Sequence, residues 1–278
     1  MSDHSTQWIL LGLVASTLIG AAGYARGALS RSGLAGAIVA GTITFGFGGW
    51  EWGTLLIAFF VSSSLLSRFR RREKANLAEK FAKGHKRDWG QVLANGGLGA
   101  VLAIAAAVFG LPAAGWLWAA YVGAMATVNA DTWATELGVL SRARPRLITN
   151  GQRVEVGTSG GVSKLGTAAA MGGAFFIAAL AALLQWAEGK TGHSSLQLAL
   201  AGVVGGVLGA FFDSLLGATV QGIYYCDQCN KETERSIHGC NSATRPVRGW
   251  RWLTNDWVNA LSSGFGAAAT VGLVFLVG

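Results

Sequence analysis

Eight stretches of this chain, at roughly residues 7–28, 33–49, 51–68, 91–110, 113–134, 165–187, 197–222 and 256–277, meet or approach the length and apolarity needed to cross a lipid bilayer. A crossing takes about 20 mostly apolar residues. A chain that repeats such stretches must satisfy its backbone polar groups within helices or a closed barrel. The expected fold class is therefore all-α, a polytopic transmembrane helix bundle of about eight spans. Composition agrees: 51% of the 278 residues are hydrophobic and 13% are charged, against about a quarter charged in an ordinary soluble domain. With Leu, Ala and Val, the 41 glycines fill most of the apolar stretches, and small residues let helix backbones approach closely. We expect one transmembrane domain over residues 1–278, with residues 223–255 as a cytoplasmic loop.

The first stretch, Trp8 to Tyr24, follows Asp3 and His4 rather than a basic segment, so it reads as a retained helix and not as a cleaved signal. Eight crossings put Arg26 and Arg31, the run from Arg68 to Arg87, the segment Arg142 to Lys164, and Lys231 to Arg251 on one face. Only Lys190 falls on the other. The positive-inside bias assigns the basic face to the cytoplasm and both termini to the outside. Orientation and anionic lipid thus account for the net charge of +8, and membrane lipids, not nucleic acid, are the expected partners. The run Arg68, Arg70, Arg71, Arg72, Lys74, Glu79, Lys80, Lys83, Lys86 and Arg87 reads as a solvated loop of that face.

Polar residues inside the spans are the exceptions that need explaining, because a carboxylate in the membrane is costly unless it faces protein, water, metal or substrate. In Asn129-Ala-Asp131-Thr-Trp-Ala-Thr135-Glu136-Leu-Gly138, helical spacing puts Asp131, Thr135 and Gly138 on one stripe and Asn129 and Glu136 on its neighbour. Asp213, in Phe211-Phe212-Asp213-Ser214, lies about nine residues inside its span, or roughly 13 Å deep at ~1.5 Å per residue. Asn95 near the start of the fourth span, and Asn255 and Asn259 at the start of the eighth, bring amides to the same depth. Carboxylates and amide oxygens suit Mg²⁺, which commonly arrives with phosphate. The loop Gly157-Thr158-Ser159-Gly160-Gly161-Val162-Ser163-Lys164 enters the sixth span, where glycine backbone N–H groups, a helix N-terminus and a Lys make a phosphate site.

All three cysteines cluster with a histidine, as Cys226-x-x-Cys229 and His238-x-Cys240. Four N/S ligands suit a structural Zn²⁺ and leave no coordination position open for catalysis. A cytoplasmic loop disfavours stable disulfides.

Together NADTWATELG, GTSGGVSKLGT, FFDSLLGATVQ and NDWVNALSSG resemble the domain-of-unknown-function 92 membrane family, which is transmembrane protein 19-like and whose plant member is phytyl-phosphate kinase. The resemblance runs from about Gly33 to the C-terminus. More distantly, the buried Asp and the Lys/Gly loop look like CTP-using polyprenol and phytol kinases. The family implies an isoprenoid-phosphate kinase. On that reading Asp131 and Asp213, with Glu136, hold Mg²⁺ on a nucleoside triphosphate. Thr158, Ser159, Gly160, Gly161, Ser163 and Lys164 bind its phosphates, Asn95, Asn255 and Asn259 orient the acceptor, and Asn129 is a further substrate-binding candidate. A lipid-phosphate transporter or flippase is the alternative, since intramembrane carboxylates and glycine-rich breaks also mark transport sites. Polarity confined to one half of the bundle counts against it.

Overall fold

A computed structural model of the chain describes residues 3–74, 86–110, 113–189 and 194–277. Eight long helices carry it: α1 (Asp3–Ala25), α2 (Arg31–Gly48), α3 (Trp50–Arg68), α5 (Trp89–Phe109), α6 (Ala113–Gly138), α7 (Lys164–Ala187), α8 (Ser195–Thr219) and α9 (Asn255–Val277). A single turn, α4 (Arg71–Lys74), follows α3. Each expected crossing coincides with one long helix. Among the basic and acidic positions read from the sequence, Glu79, Lys80, Lys83 and Lys190 lie outside the described residues.

Side chains at the helix starts set the boundaries. Ser30 accepts from the Gly33 N–H at 3.0 Å and Ser163 from the Gly166 N–H at 3.0 Å. Asp88 with Gln91 and Ser194 with Gln197 form reciprocal capping boxes, satisfying orphan donors at both ends of the pair. Gly49 alone separates α2 from α3.

Helix α6 is the axis of the bundle. It packs against α3, α5, α7, α8 and α9, and every residue from 119 to 130 is buried. This explains a departure from simple hydropathy. Six of the long helices are apolar enough to cross a membrane by length and composition, but α2 and α6 are not among them. A helix sheathed by five others needs no lipid-compatible surface, so it can carry Asn129, Asp131 and Glu136. The outer helices do face lipid: Phe109, Trp186 and Phe275 are each more than 70% exposed. Against α6, α8 presents Gly202, Gly206 and Gly209, and α1 packs chiefly on α2 at the periphery.

Tyr121 anchors the core at the end of the bundle far from the polar residues. Its ring stacks on Trp52 at 4.4 Å between centroids, and its hydroxyl donates to the Trp52 carbonyl at 2.7 Å, which removes the cost of a buried O–H.

Two small sheets lie outside the helices. β1 (Arg146–Leu147) pairs antiparallel with β2 (Gly161–Val162) in the α6–α7 connection. In the α8–α9 connection, β3 (Ile223–Cys226) is the central strand between β4 (Lys231–Thr233) and β5 (Arg245–Arg248).

Candidate active site and metal cluster

The C-terminal ends of α3, α6 and α8 and the N-terminal ends of α5, α7 and α9 surround a cavity of about 540 Å³, as alternating crossings require. Over it lie the α6–α7 loop, through residues 156–163, and the α8–α9 connection, through Tyr224, Glu234, Ser236 and Arg251.

Two carboxylates define its floor: Asp131 from α6 and Asp213 from α8 both line the cavity. Oδ2 of Asp213 is buried without a partner. The Ser262 hydroxyl of α9 lies beside it, outside hydrogen-bonding geometry, and is likewise unpaired. Asp131, Asp213 and Glu234 are near enough to repel one another. Carboxyl groups at this depth are costly unless they face water, a cation or a ligand.

Glu136 is placed differently. It lines the cavity, yet one oxygen accepts from Lys74 Nζ at 2.6 Å and the other from Ser67 Oγ at 2.5 Å. Both oxygens are thus committed to the α3–α6 seam. Its effect is to hold a nearly buried ammonium, 5% exposed, at the cavity wall. Glu136→Gln is expected to cost about 3 kcal/mol of stability, because it strands that cation, while leaving divalent-ion affinity unchanged. Thermal unfolding with and without Mg²⁺ checks both halves.

Other expected residues divide in the same way. Thr158, Ser159, Gly160, Gly161 and Ser163 all line the cavity, as do Asn95, Asn255 and Asn259. Asn259 donates to Asn95 at 3.3 Å across the α5–α9 interface. Asn129 does not reach the cavity. Fully buried, it donates to the Gly173 carbonyl at 2.8 Å and accepts from Ser62 at 3.1 Å, so it is a strut joining α3, α6 and α7. Lys164 is exposed at the start of α7 and is absent from the cavity wall. The first turn of a helix turns successive side chains by about 100°, so Ser163 and Gly166 face inward while Lys164 points out.

The cations that do line the cavity are Lys74, Arg87 and Arg251. The first two sit in the basic run that reads as a solvated loop. What marks Arg87 is its position immediately before the Asp88-x-x-Gln91 capping box. Its backbone is pinned by donation to Ala28 and acceptance from Ser30, both at 3.0 Å. Gly33 permits the approach, since a Cβ there would lie 2.0 Å from the Arg87 carbonyl oxygen.

Gln221 couples the two lids. Only 1% exposed, it accepts from Ser159 at 2.9 Å and donates to Glu234 at 2.9 Å. Nothing in the order of residues brings Glu234 to Asp131; the α8–α9 connection folding back over the cavity does. Arg248 secures that fold by donating to the carbonyls of Ala218 and Gly217 at 2.8 and 3.2 Å, the free acceptors at the α8 C-terminus. Gly160, with φ at +80°, seats against α8 where a Cβ would fall 2.4 Å from that of Ala218. Gly160→Ala is therefore expected to lower stability by more than the ~1–2 kcal/mol of a left-handed non-glycine residue, measured by thermal unfolding in detergent.

Cys226, Cys229, His238 and Cys240 converge in the α8–α9 connection, with one ligand atom from each within 4.8 Å of the others. The Cys226 and Cys240 sulfurs are 3.6 Å apart, and Nδ1 of His238 is 3.2 Å from the Cys240 sulfur. Tetrahedral thiolates at ~2.3 Å from a metal stand about 3.8 Å apart, so these four residues can hold a metal ion. Hydrogen bonds from Ser242 and then His238 bring the Cys240 thiol down to about 6. Pairing with Cys240 pushes the Cys229 thiol up to about 11. Negative charge is thereby concentrated on Cys240 beside its three neighbours.

Residues 14–267 match the family described as integral membrane protein DUF92. The chain is 32% identical to Protein PGR of Arabidopsis thaliana over 91% of its own length and 92% of that protein's. It is 35% identical to the uncharacterized membrane protein MJ0933 of Methanocaldococcus jannaschii, covering 68% and 74% of the two. It is 26% identical to Protein VTE6, chloroplastic, of Arabidopsis thaliana, covering 87% and 64%. No solved structure matches it.

Proposed function

The chain belongs to the DUF92 family of integral membrane proteins, and from that premise we propose that it is a membrane-embedded isoprenoid-phosphate kinase. It transfers a phosphoryl group from a nucleoside triphosphate, CTP foremost, to a prenyl or phytyl monophosphate at the cytoplasmic end of the bundle. One observation carries this reading: two carboxylates, Asp131 and Asp213, share a cavity whose roof is a glycine-rich loop, and Oδ2 of Asp213 is buried there without a partner.

The donor set fits Mg²⁺, which is bound by few carboxylates and completes its shell with water and phosphate oxygens. Asp131 and Asp213 are the residues that would hold it, and when bound it neutralises triphosphate charge. The chain's own groups do the rest. The 157–163 loop and Arg251 position the donor phosphates. The Asn95–Asn259 pair retains a donor and an acceptor for orientation, and Glu136 fixes Lys74 at the wall. An oxygen of the acceptor monophosphate bonds to the terminal phosphorus of the donor. The bond from that phosphorus to its bridging oxygen breaks, and the nucleoside diphosphate departs. The attacking oxygen is already ionised, so no general base is needed, and positioning with charge neutralisation supplies the catalysis.

A structural Zn²⁺ on Cys226, Cys229, His238 and Cys240 fits this scheme by fixing the segment that carries Glu234. Four protein ligands leave such an ion no substrate position.

The test is purified protein in detergent with Mg²⁺, terminally labelled CTP or ATP, and phytyl or geranylgeranyl phosphate. A labelled lipid diphosphate is expected. Absence of transfer from either nucleotide, together with nucleotide-independent movement of lipid phosphate across vesicles, replaces the kinase with a transporter.

A further inference from the structure

The polar cavity does not stop at Arg87. A second crevice of about 80 Å³, almost wholly apolar, shares Arg87, Gln91 and Asn95 with it and continues between α1, α2, α3 and α5. Ile19, Ala37, Gly41, Ile57, Phe60 and Gly96 form much of its wall. From Phe60 to Gly53, both in that wall, α3 rises seven residues, or about 10 Å at ~1.5 Å each. At the far end the Phe45 ring occupies the space a Cβ of Gly53 would need.

We propose that this crevice holds the headgroup-proximal part of a single apolar chain whose terminal phosphate is gripped by Arg87. The inference rests on the kinase reading for the identity of that headgroup. Three features support it. First, Arg87 stands at the junction: its guanidinium lies 5.9 and 6.0 Å above the rings of Phe59 and Phe60, while one nitrogen donates to Ser64 at 3.2 Å. A planar guanidinium has five donors and matches phosphate in two-point geometry. Among the described residues no carboxylate lies within ion-pair distance of it. Its backbone is held by the 28–30 segment, so its place is set before a ligand arrives.

Second, the wall leaves room on its α5 side. Small residues usually let backbones meet, as Gly41 does against Ser16 of α1, but a Cβ on Gly96 would touch only Leu56, at 3.6 Å. Third, polarity changes abruptly across the shared residues, from carboxylates and amides on one side to aliphatic and aromatic side chains on the other. That is the profile of an amphiphile with a charged end and a greasy tail. A crevice of 80 Å³ takes in only a short length of chain, so the remainder lies in the bilayer beside α1. Acceptor use is then insensitive to total chain length beyond the enclosed part.

The test is photo-crosslinking of the full-length protein in detergent with a prenyl monophosphate bearing a diazirine a few carbons from the phosphate. Peptide mapping is expected to place the label on Ile19, Ile57 or Phe60. Labelling should fall at least tenfold in Gly96→Leu, in Ala37→Leu, which narrows the crevice from α2, and in Arg87→Gln. Size-exclusion profiles and binding of the nucleotide alone identify any variant that has failed to fold, and two filling variants on different helices keep the test decisive. The matching prenyl alcohol should label several-fold less. Equal labelling by a diazirine phosphatidylcholine overturns the proposal by making the crevice a bulk-lipid site. Crosslinks confined to other helices in a protein that transfers phosphate overturn it while leaving the kinase intact. Crevice labelling that depends on Arg87, without transfer from any nucleotide, upholds the lipid-phosphate site and sinks the kinase reading instead.

Discussion

Asp213→Asn is expected to lower single-turnover phosphoryl transfer on the order of 10³-fold, with Asp131→Asn close behind and Glu136→Gln within tenfold of wild type. A metal-bound carboxylate is worth several kcal/mol of transition-state charge stabilisation, and each ~1.4 kcal/mol is a factor of ten in rate. Glu136 differs because Lys74 and Ser67 already occupy its oxygens. The same variants carry a second readout that a purely structural carboxylate would contradict. The Oδ2 of Asp213 is buried and unpartnered, and it feels the charges of Asp131 and Glu234. Replacing this unpartnered carboxyl by an amide should therefore leave the melting temperature in the absence of Mg²⁺ unchanged or higher. Function and stability trade against each other at sites held ready for a ligand. A variant that loses stability and keeps its rate would show Asp213 to be a packing residue and would remove the cavity's claim to chemistry.

Metal removal gives the second large effect. Purified protein is expected to contain one zinc per chain by elemental analysis, and Cys226→Ser or a strong chelator should abolish it. The energy at stake is considerable, since apparent zinc affinities in small structural sites correspond to about 10–16 kcal/mol near neutral pH. Loss should nonetheless be local. The four ligands lie between α8 and α9, and the helices are joined through the α6-centred core. Amide exchange should accelerate across β3, β4 and β5, with α6 and α7 unchanged. Transfer activity should fall with it, because Glu234 and its bond to Gln221 belong to the same segment. Zinc-free protein with unaltered exchange and activity would reduce the cluster to ordinary thiols.

Much of the fold is legible in one dimension because the bilayer makes it so. Backbone polar groups in lipid must pair within a helix, so an apolar stretch of sufficient length specifies its structure almost alone. Ser30, Asp88, Ser163 and Ser194 then mark the starts with polar side chains. Asp131 and Asp213 stand out for a related reason, the cost of a carboxylate at such depth, and the glycine loop announces itself by composition. Position within a turn is less legible. Lys164 and Ser163 are neighbours in sequence but face opposite ways, and Asn129 and Asp131, two residues apart, divide between a strut and the cavity. Arg87 and Lys74 were hidden because a cation at a helix end resembles the surrounding positive-inside loop until a partner surface is known.

The order of apolar and polar residues by itself determined a bundle of about eight helices, its alternating sense, the convergence of carboxylates and amides at one end and the four-ligand Cys/His set. Each follows from interactions local in the chain or from the hydrocarbon solvent, which acts on every segment alike. Tertiary structure alone decided that α6 is the sheathed axis, that Glu136 is committed to Lys74, that Gln221 joins Ser159 to Glu234, and that an apolar crevice opens behind Arg87. These depend on contacts between residues 60 to 70 positions apart or more in several cases, such as Lys74 with Glu136 and Ser159 with Gln221. Their geometry is set by how closely small residues let particular helix faces approach, and by where a missing side chain leaves space, neither of which is a property of any one segment.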